Sequence, residues 1–236
     1  MQAGDRGAAG YPLHSLEMRR TWDALAAADS SVYVGDPARG EAELDGLLGR
    51  LGADPRGGTC VEVGCGPGRM TGALATRFER VIAVDVSPAM LERARASVAA
   101  GNVTFHLVSG ERLDGVADGV ARTLVCYLVL QHLPGRRVVV SYLEEFARVL
   151  AADGEAFVQL PVLAAGPGPR LWRSARRPLV ALSRRPERAA AFRGFRLTGT
   201  ELEAALARAG LRTLAWDEGP SAYRFSRDRF LRLAKA

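Results

Sequence analysis

The chain of 236 residues contains 48% apolar and 25% charged residues, which is the balance of an ordinary folded domain. This composition excludes a disordered chain, a collagen-like repeat and a small disulfide scaffold. Of the 32 basic residues, all but Lys235 are Arg. Residues 1–161 carry 16 basic and 20 acidic side chains, whereas residues 162–236 carry 16 basic and 6 acidic ones. The basic C-terminal part favours nucleic acid, a membrane surface or an acidic substrate as partner, or it reflects a coding bias for Arg on solvated faces.

The three cysteines, Cys60, Cys65 and Cys126, are too few and too scattered for a disulfide framework. None belongs to a CxxC pair, so the sequence offers no ligand set for a structural zinc ion. The N-terminus lacks the apolar core of a signal peptide, and no run reaches the roughly 18 apolar residues of a membrane span. We therefore expect a cytoplasmic protein with reduced, buried cysteines, no metal and no contact with a membrane.

Two helices are predicted in the N-terminal part, over residues 15–28 and 41–51. From residue 59 onward, short apolar strands alternate with amphipathic helices. The predicted strands span 59–63, 80–84, 103–108, 122–127 and 154–160, and the predicted helices span 70–78, 88–100 and 136–150. Alternation of this kind with short connections predicts an α/β fold, in which a parallel sheet carries helices on both faces.

The alternation stops after the fifth strand. Residues 162–197 form a segment rich in Pro, Gly and Arg with one predicted helix. A capping box at Thr198 and Glu201 then begins a further helix. Two last strands, over 211–216 and 227–233, have no helix between them and should pair antiparallel at the sheet edge.

The first strand is followed by a glycine-rich loop, GCGPG at residues 64–68, and the second strand ends at Asp85. Such a loop lets a ligand approach the backbone closely and presents N–H groups to it. Asp85 comes 21 residues after Gly64, a spacing that suits a carboxylate binding a ribose diol. The third glycine comes one residue too early for a dinucleotide fingerprint. Glu62 would repel a pyrophosphate, and it suits a ligand with a cationic amino acid end.

With VEVGCGPGRM at residues 61–70 and VIAVDVSPAMLERAR at 81–95, the sequence resembles the class I S-adenosylmethionine-dependent methyltransferases. The resemblance covers residues 18–161, is vaguer over 198–236 and is absent over 162–197. It implies a Rossmann-like fold with a seven-stranded, mostly parallel sheet and an antiparallel C-terminal strand. It also implies S-adenosyl-L-methionine as the cofactor.

The resemblance further implies roles for residues of the glycine loop and the second strand. The backbone of Gly64, Cys65 and Gly66 would hold the methionine part of the cofactor, and Glu62 would support the loop. Asp85 would bind the ribose hydroxyls.

Residues farther along the chain would surround the adenine and the acceptor. Val86 and Met90 would pack near the adenine. Ser109 and Gly110 stand where the family usually has an Asp for the adenine amino group, so adenine recognition there would depend on backbone groups. The segment that begins at Tyr127 would pass beside the sulfonium and the acceptor.

An oxygen or carbon acceptor can need a general base, and His is the usual choice near neutral pH. His132 is the best candidate, because it follows the fourth strand at the edge where ligands bind in such sheets. A role in capping the next helix is its alternative. If residues 14–52 form a helical lid over the cofactor, then His14, as a second catalytic candidate, and Tyr33 would reach the site.

We predict that residues 1–236 form a single methyltransferase domain in which residues 162–197 cap the substrate. The acceptor would be a small molecule of secondary metabolism, such as antibiotic biosynthesis, methylated on O, N or C. The arginines of residues 162–197 leave an anionic acceptor, an RNA or a merely solvated helix open, but few aromatic residues accompany them, which disfavours nucleic acid. We expect a monomer or a homodimer. The alternatives are an RNA methyltransferase and a non-methylating relative that catalyses another reaction, such as a cyclisation.

Overall fold

The computed structural model describes residues 13–27, 39–181 and 194–236. The helices are α1 Leu13–Ala27, α2 Gly40–Arg50, α3 Thr71–Arg77, α4 Pro88–Ser97, α5 Arg136–Val149, α6 Pro167–Ala181 and α7 Gly199–Arg208. The strands are β1 Thr59–Val63, β2 Arg80–Asp85, β3 Val103–Leu107, β4 Ala121–Cys126, β5 Leu150–Leu163, β6 Leu211–Pro220 and β7 Ser226–Lys235. A short 3₁₀ helix, Leu130–His132, lies between β4 and α5.

All seven strands form one sheet in the order β3-β2-β1-β4-β5-β7-β6. The pairs among the first five strands are parallel, and β7 is antiparallel to both of its neighbours. The strand order reverses between β1 and β4, which creates the crevice where open α/β sheets bind ligands. The predicted fold class is confirmed, including the antiparallel C-terminal strand between two others.

The central strands are buried because helices cover both faces of the sheet. One face packs against α5 and α7 through residues such as Phe146 and Leu202, and the other packs against α2 and α3 through Leu44 and Leu74. Continuous apolar strands are the expected consequence of this double cover.

Local signals place the starts of two helices as predicted. The Ser87 hydroxyl accepts a hydrogen bond from the Met90 N–H at 3.1 Å, at the start of α4. Thr198 and Glu201 form the reciprocal capping box of α7. Helix α4 ends at Ser97, three residues earlier than predicted, because the following residue, Val98, adopts an extended conformation.

Strand β5 begins at Leu150, four residues before its predicted start. Leu150 pairs with Ala121, and Glu155 pairs with Thr123, so the strand bulges between these two contacts. Gly154 permits the bulge, because a Cβ atom there would lie 2.5 Å from the Ala121 carbonyl oxygen. The apolar pattern indicated only the regular part of this strand.

Arginines of the basic C-terminal part form ion pairs with acidic residues from both parts of the chain. Four such pairs are Arg173–Glu201, Arg208–Glu144, Arg229–Glu218 and Arg232–Glu155. Glu144 and Glu155 belong to the acidic part, so folding brings the two opposite charge surpluses together. Within the described ranges, no helix is long and apolar enough to cross a membrane.

Candidate active site

A cleft lies at the carboxyl ends of β1, β2 and β4, where the strand order reverses. It spans about 820 Å³, including the space at its mouth that is open to solvent. Helix α1, the glycine loop, the end of β2 and the segment after β4 form its walls. A smaller cavity of about 260 Å³ adjoins it behind the glycine loop.

The glycine loop needs its first glycine for two reasons. Gly64 has a φ of 72°, in the left-handed region that costs other residues energy. A Cβ atom at Gly64 would also lie 2.3 Å from Cγ2 of Val129, on the segment after β4. The N–H groups of Gly64 and Cys65 both donate to the Val84 carbonyl, at 2.8 and 3.0 Å. The loop is therefore held against β2 and pressed against the opposite wall of the cleft.

Asp85 fastens the glycine loop to the start of α4. One carboxylate oxygen accepts a hydrogen bond from the Gly66 N–H and the other from the Ser87 N–H, both at 2.9 Å. Burial raises the pKa of Asp85, although these backbone hydrogen bonds oppose the shift. A carboxylate has about four acceptor positions, so Asp85 can bind donors of a ligand in the cleft as well.

Glu62 lies beneath the loop and borders the smaller cavity. Its carboxyl group accepts a hydrogen bond from the Thr71 hydroxyl at 2.6 Å, and only 4% of the residue is exposed. Burial raises the pKa of Glu62 to about 8, and the nearby charge of Asp85 adds to the shift. A cation in the smaller cavity would favour the ionised form of Glu62.

Arg69 follows the loop and borders both the cleft and the smaller cavity. Its guanidinium lies 5.9 Å from the ring centroid of Tyr127 and forms an ion pair with Glu43 of α2. Burial lowers the pKa of Arg69 and raises that of Tyr127. The region behind the loop thus offers an acidic group in Glu62 and a basic group in Arg69.

Helix α1 covers the cleft and is fastened to the start of α4. The Arg19 side chain donates to the Val86 carbonyl at 3.1 Å. The Asp23 carboxylate accepts a hydrogen bond from the Ser87 hydroxyl at 2.5 Å. Trp22 lines the cleft, and its ring packs edge to face against His132 with 5.1 Å between centroids. Helix α2, in contrast, packs on α3 outside the cleft.

The end of the Arg-rich segment, from Gly194 onward, packs directly on the segment that bears His132. The Phe195 N–H donates to the Leu133 carbonyl at 2.7 Å. At Gly194, a Cβ atom would lie 1.5 Å from the Gln131 carbonyl oxygen, so no larger residue fits there. Nε2 of His132 lies 3.1 Å from Nε2 of Gln131. If Gln131 donates this hydrogen bond, the lone pair of that ring nitrogen is occupied.

The structure brings most of the predicted site residues together. Those that line the cleft are Gly64, Cys65, Gly66, Asp85, Val86, Met90, Tyr127 and His132. Tyr33 and the side chain of His14 lie outside the described residues. Ser109 and Gly110 follow Val108, which does line the cleft. The Ser109 hydroxyl accepts hydrogen bonds from the N–H groups of residues 111 and 112, so it is used within its own turn.

Met18 and Arg69 are among the residues of the cleft that did not emerge from the sequence. Arg69 directly follows the glycine loop in the sequence, and this position indicates that its side chain lies close to the cleft. Leu128 has a φ of 60°, which is unusual for a residue with a side chain and has no recognisable sequence pattern.

Part of the chain is similar to known methyltransferases. Residues 60–154 match the family model described as a methyltransferase domain. Trans-aconitate 2-methyltransferase of Methylobacterium radiotolerans is 34% identical over 116 residues, which are 48% of this chain and 42% of that protein. The chain spans about half the length of the curated relatives it matches.

Solved structures match over nearly the whole chain. Magnesium protoporphyrin IX methyltransferase from Synechocystis PCC 6803, solved with bound SAH, is 18% identical with a TM-score of 0.66. That alignment covers 94% of this chain and 100% of the other. The cyclase SpnF is 15% identical with a TM-score of 0.66, over 95% of this chain and 97% of the other. At these identities the likeness shows the fold.

Proposed function

We propose that this chain, which has the class I S-adenosylmethionine-dependent methyltransferase fold and carries a methyltransferase domain at residues 60–154, transfers a methyl group to a small molecule. The observation that carries the proposal is the clamp of Asp85 on the glycine loop at the edge of an enclosed cleft. The glycine loop and Asp85, which hold each other in place, also present hydrogen-bond donors and acceptors to the cleft. Apolar residues beside them form a wall of the same cleft.

The residues of the cleft fit S-adenosyl-L-methionine. Asp85 retains acceptor positions for the ribose hydroxyls, and Val86, Met90 and Val108 form an apolar wall for the adenine. Behind the loop, Glu62 suits the ammonium group and Arg69 suits the carboxylate. A Cβ atom at Gly64 would collide with the side chain of Val129, which also lines the cleft. The cofactor supplies a methyl group that is already activated as a sulfonium.

The contribution of the protein is therefore alignment and exclusion of water, which can be worth roughly 7–11 kcal/mol of the barrier. Helix α1 supplies the cover, and the edge of the sheet supplies a rigid floor. The enclosed cleft supports a small acceptor over an RNA. The ion pairs of the C-terminal arginines also support it, because they neutralise charges that would otherwise contact phosphates. Methylation in secondary metabolism, a cytoplasmic location and a monomeric or homodimeric state belong to the same proposal.

Replacing Asp85 with Asn tests the cofactor site. The Asn side chain keeps one acceptor oxygen, and its NH₂ group would face one of the two backbone N–H donors. Loss of a hydrogen bond to a charged group costs roughly 1.5–3 kcal/mol, so we expect S-adenosylhomocysteine to bind about 10–100-fold more weakly. Calorimetric titration measures this affinity. Asp118→Asn, at an exposed position paired with Arg148, serves as the control and should bind normally.

If the unaltered protein does not bind S-adenosylhomocysteine, the proposed function is wrong. If it binds the cofactor but forms product without consuming S-adenosylmethionine, the reaction is another one, such as a cyclisation, in the same cleft.

Replacing His132 with Ala is expected to lower methyl turnover while the affinity for S-adenosylhomocysteine stays the same. His132 lies on the wall of the cleft beside Trp22 and is not part of the glycine loop that would hold the cofactor. Initial rates and calorimetric titration measure the two quantities. His106→Ala, on β3, is the matched control. Turnover that equals that of the control would exclude His132 as the base.

A further inference from the structure

A tyrosine hydroxyl on the wall of the cleft has no part in the proposed cofactor site. Tyr142 lies in the middle of α5, lines the cleft and is 3% exposed. Phe146, one turn later in the helix, packs edge to face against the Tyr142 ring with 6.2 Å between centroids, which fixes the direction of the ring. Val138 and Val139, one turn earlier, are buried apolar residues. The hydroxyl therefore stands on an apolar part of the wall.

The Tyr142 hydroxyl is open to the cleft. Within residues 13–27, 39–181 and 194–236 it has no hydrogen-bond partner, and the groups that shift its pKa act through burial and charge alone. The unpaired polar atoms that these residues shut off from solvent do not include it. A hydroxyl that is neither paired nor shut off faces the space that the residue lines. Because a buried hydroxyl without a hydrogen bond costs free energy, we expect the occupant of the cleft to supply the partner.

The part of the cleft that the cofactor leaves for the acceptor is apolar and aromatic. Helix α1 contributes Met18 and Trp22 to it, and the segment after β4 contributes Leu128 and Leu133. Sites lined in this way bind apolar rings and orient them through a small number of polar groups. An aromatic acceptor therefore fits this wall.

The charges around the cleft disfavour an anionic acceptor. Among the described residues, the formally charged side chains that line the cleft are Arg69 and Asp85, and both belong to the proposed cofactor site. Burial raises the pKa of Tyr142, and the acidic groups of Cys126, Asp85 and Asp114 add to the shift. The hydroxyl therefore stays protonated, and a carboxylate bound to it would lie near other negative charges.

We propose that the methyl acceptor is an uncharged aromatic molecule with an oxygen substituent, and that this oxygen forms a hydrogen bond with the Tyr142 hydroxyl. The inference rests on the proposed methyl transfer and deepens it, because it names the chemical class of the acceptor and a residue that selects it. Tyr142 binds and orients the acceptor ring and takes no proton from it.

Two other partners of the Tyr142 hydroxyl compete with this assignment. An ordered water could complete its hydrogen bonding as part of the fold, or the cofactor could contact it. Loss of the hydroxyl would lower stability in the first case and the affinity for S-adenosylhomocysteine in the second. An acceptor contact changes neither of these quantities, so the three explanations are separable.

The test uses the full chain as unaltered protein, as Tyr142→Phe and as Tyr223→Phe. Both variants remove only a hydroxyl, and the control residue Tyr223 lies in the connection between β6 and β7, outside the residues that line the cleft. The probes are phenol, toluene, benzoate and cyclohexanol. Toluene has a methyl group in place of the hydroxyl, benzoate carries a charge, and cyclohexanol lacks the aromatic ring. NMR titration measures the affinity of each probe for the complex with S-adenosylhomocysteine, calorimetry measures the affinity for S-adenosylhomocysteine itself, and thermal denaturation measures the unfolding midpoint.

The proposal expects phenol to be the preferred probe of the unaltered protein. Phenol should bind at least about 10-fold more tightly than benzoate, whose charge would be buried without a partner, and about 2–10-fold more tightly than cyclohexanol. Tyr142→Phe should weaken phenol binding about 2–10-fold, the effect of losing one neutral hydrogen bond, and leave toluene binding unchanged. Its affinity for S-adenosylhomocysteine and its unfolding midpoint should stay the same. Tyr223→Phe should bind every probe as the unaltered protein does.

Several results would overturn the inference in a protein that binds the cofactor product. They are no binding of phenol, binding of benzoate or cyclohexanol as tight as that of phenol, and equal losses of phenol and toluene binding in Tyr142→Phe. A fall in the unfolding midpoint of that variant, or in its affinity for S-adenosylhomocysteine, also overturns it. Failure of the unaltered protein to bind S-adenosylhomocysteine at all would instead overturn the proposed function.

Discussion

Replacing Gly64 with Ala is expected to abolish cofactor binding and to destabilise the fold. The left-handed conformation of Gly64, with φ of 72°, costs an alanine about 1–2 kcal/mol. The added Cβ atom would lie 2.3 Å from Cγ2 of Val129, and overpacking of a filled site typically costs about 1–3 kcal/mol more. We therefore expect the free energy of unfolding to fall by roughly 2–5 kcal/mol. Chemical denaturation and calorimetric titration with S-adenosylhomocysteine measure the two effects.

Two further variants show whether the position or the residue type is responsible. Gly72 lies in α3 with nothing within 4 Å of an added Cβ atom, so Gly72→Ala should bind the cofactor normally and gain about 0.5–1 kcal/mol of stability. The double variant Gly64→Ala with Val129→Ala removes the contact but keeps the conformational strain. It should recover part of the stability. Normal cofactor affinity in Gly64→Ala alone would show that the loop moves freely, contrary to its hydrogen bonds to Val84.

The parts of the site that the sequence predicted are those set by local pattern. The glycine loop and Asp85 lie at the ends of adjacent parallel strands, and the parallel alternation alone places both at one edge of the sheet. Ser87 and Thr198 begin helices through contacts within three residues of themselves. In each case the interacting groups are close in sequence, or their strand order follows from the alternation.

The parts that the sequence did not predict depend on contacts between distant residues. Gln159 of β5 and Asp228 of β7 meet because β7 inserts between β5 and β6. Gly194 approaches Gln131 across 63 positions of the chain, although residues 162–197 show no family resemblance. Both contacts arise from tertiary packing, for which short-range periodicity carries no signal.

The charge surplus of the C-terminal part has a different meaning in the folded chain. In the sequence alone, the surplus of basic residues in 162–236 is compatible with a basic surface that faces an acidic partner. In the structure, Arg208 and Arg232 pair with Glu144 and Glu155 of the acidic part, and Arg196 is buried beside Tyr223. A net charge summed along the chain cannot show which charges neutralise each other across the fold. These pairs weaken the argument for an anionic acceptor.

Replacing Glu62 with Gln is expected to remove a pH dependence of stability. Burial raises the pKa of Glu62 from 4.5 to about 8, so between these values the folded state holds a proton that the unfolded state has released. The stability of the unaltered protein therefore falls as pH rises through this window. The Glu62→Gln variant keeps a hydrogen-bond acceptor for Thr71 but has no group that titrates in this window, so its free energy of unfolding does not fall in this way. Relative to the unaltered protein, the variant should gain on the order of 4 kcal/mol of stability from pH 5 to pH 8. Urea denaturation at several pH values measures it, with Glu203→Gln, at an exposed position of α7, as the control.

The same carboxyl group should release a proton when the cofactor binds. At pH 7 Glu62 is mostly protonated in the free protein, because its pKa is about 8. An ammonium group placed behind the glycine loop would favour the charged form and drive the proton out. Affinity for S-adenosylhomocysteine should consequently rise from pH 6 to pH 8, and calorimetry in buffers of different ionisation enthalpy should detect up to about one proton released. Glu62→Gln should bind more weakly and release none. An equal release from the variant would assign the proton to another group and would leave Glu62 a purely structural support for Thr71.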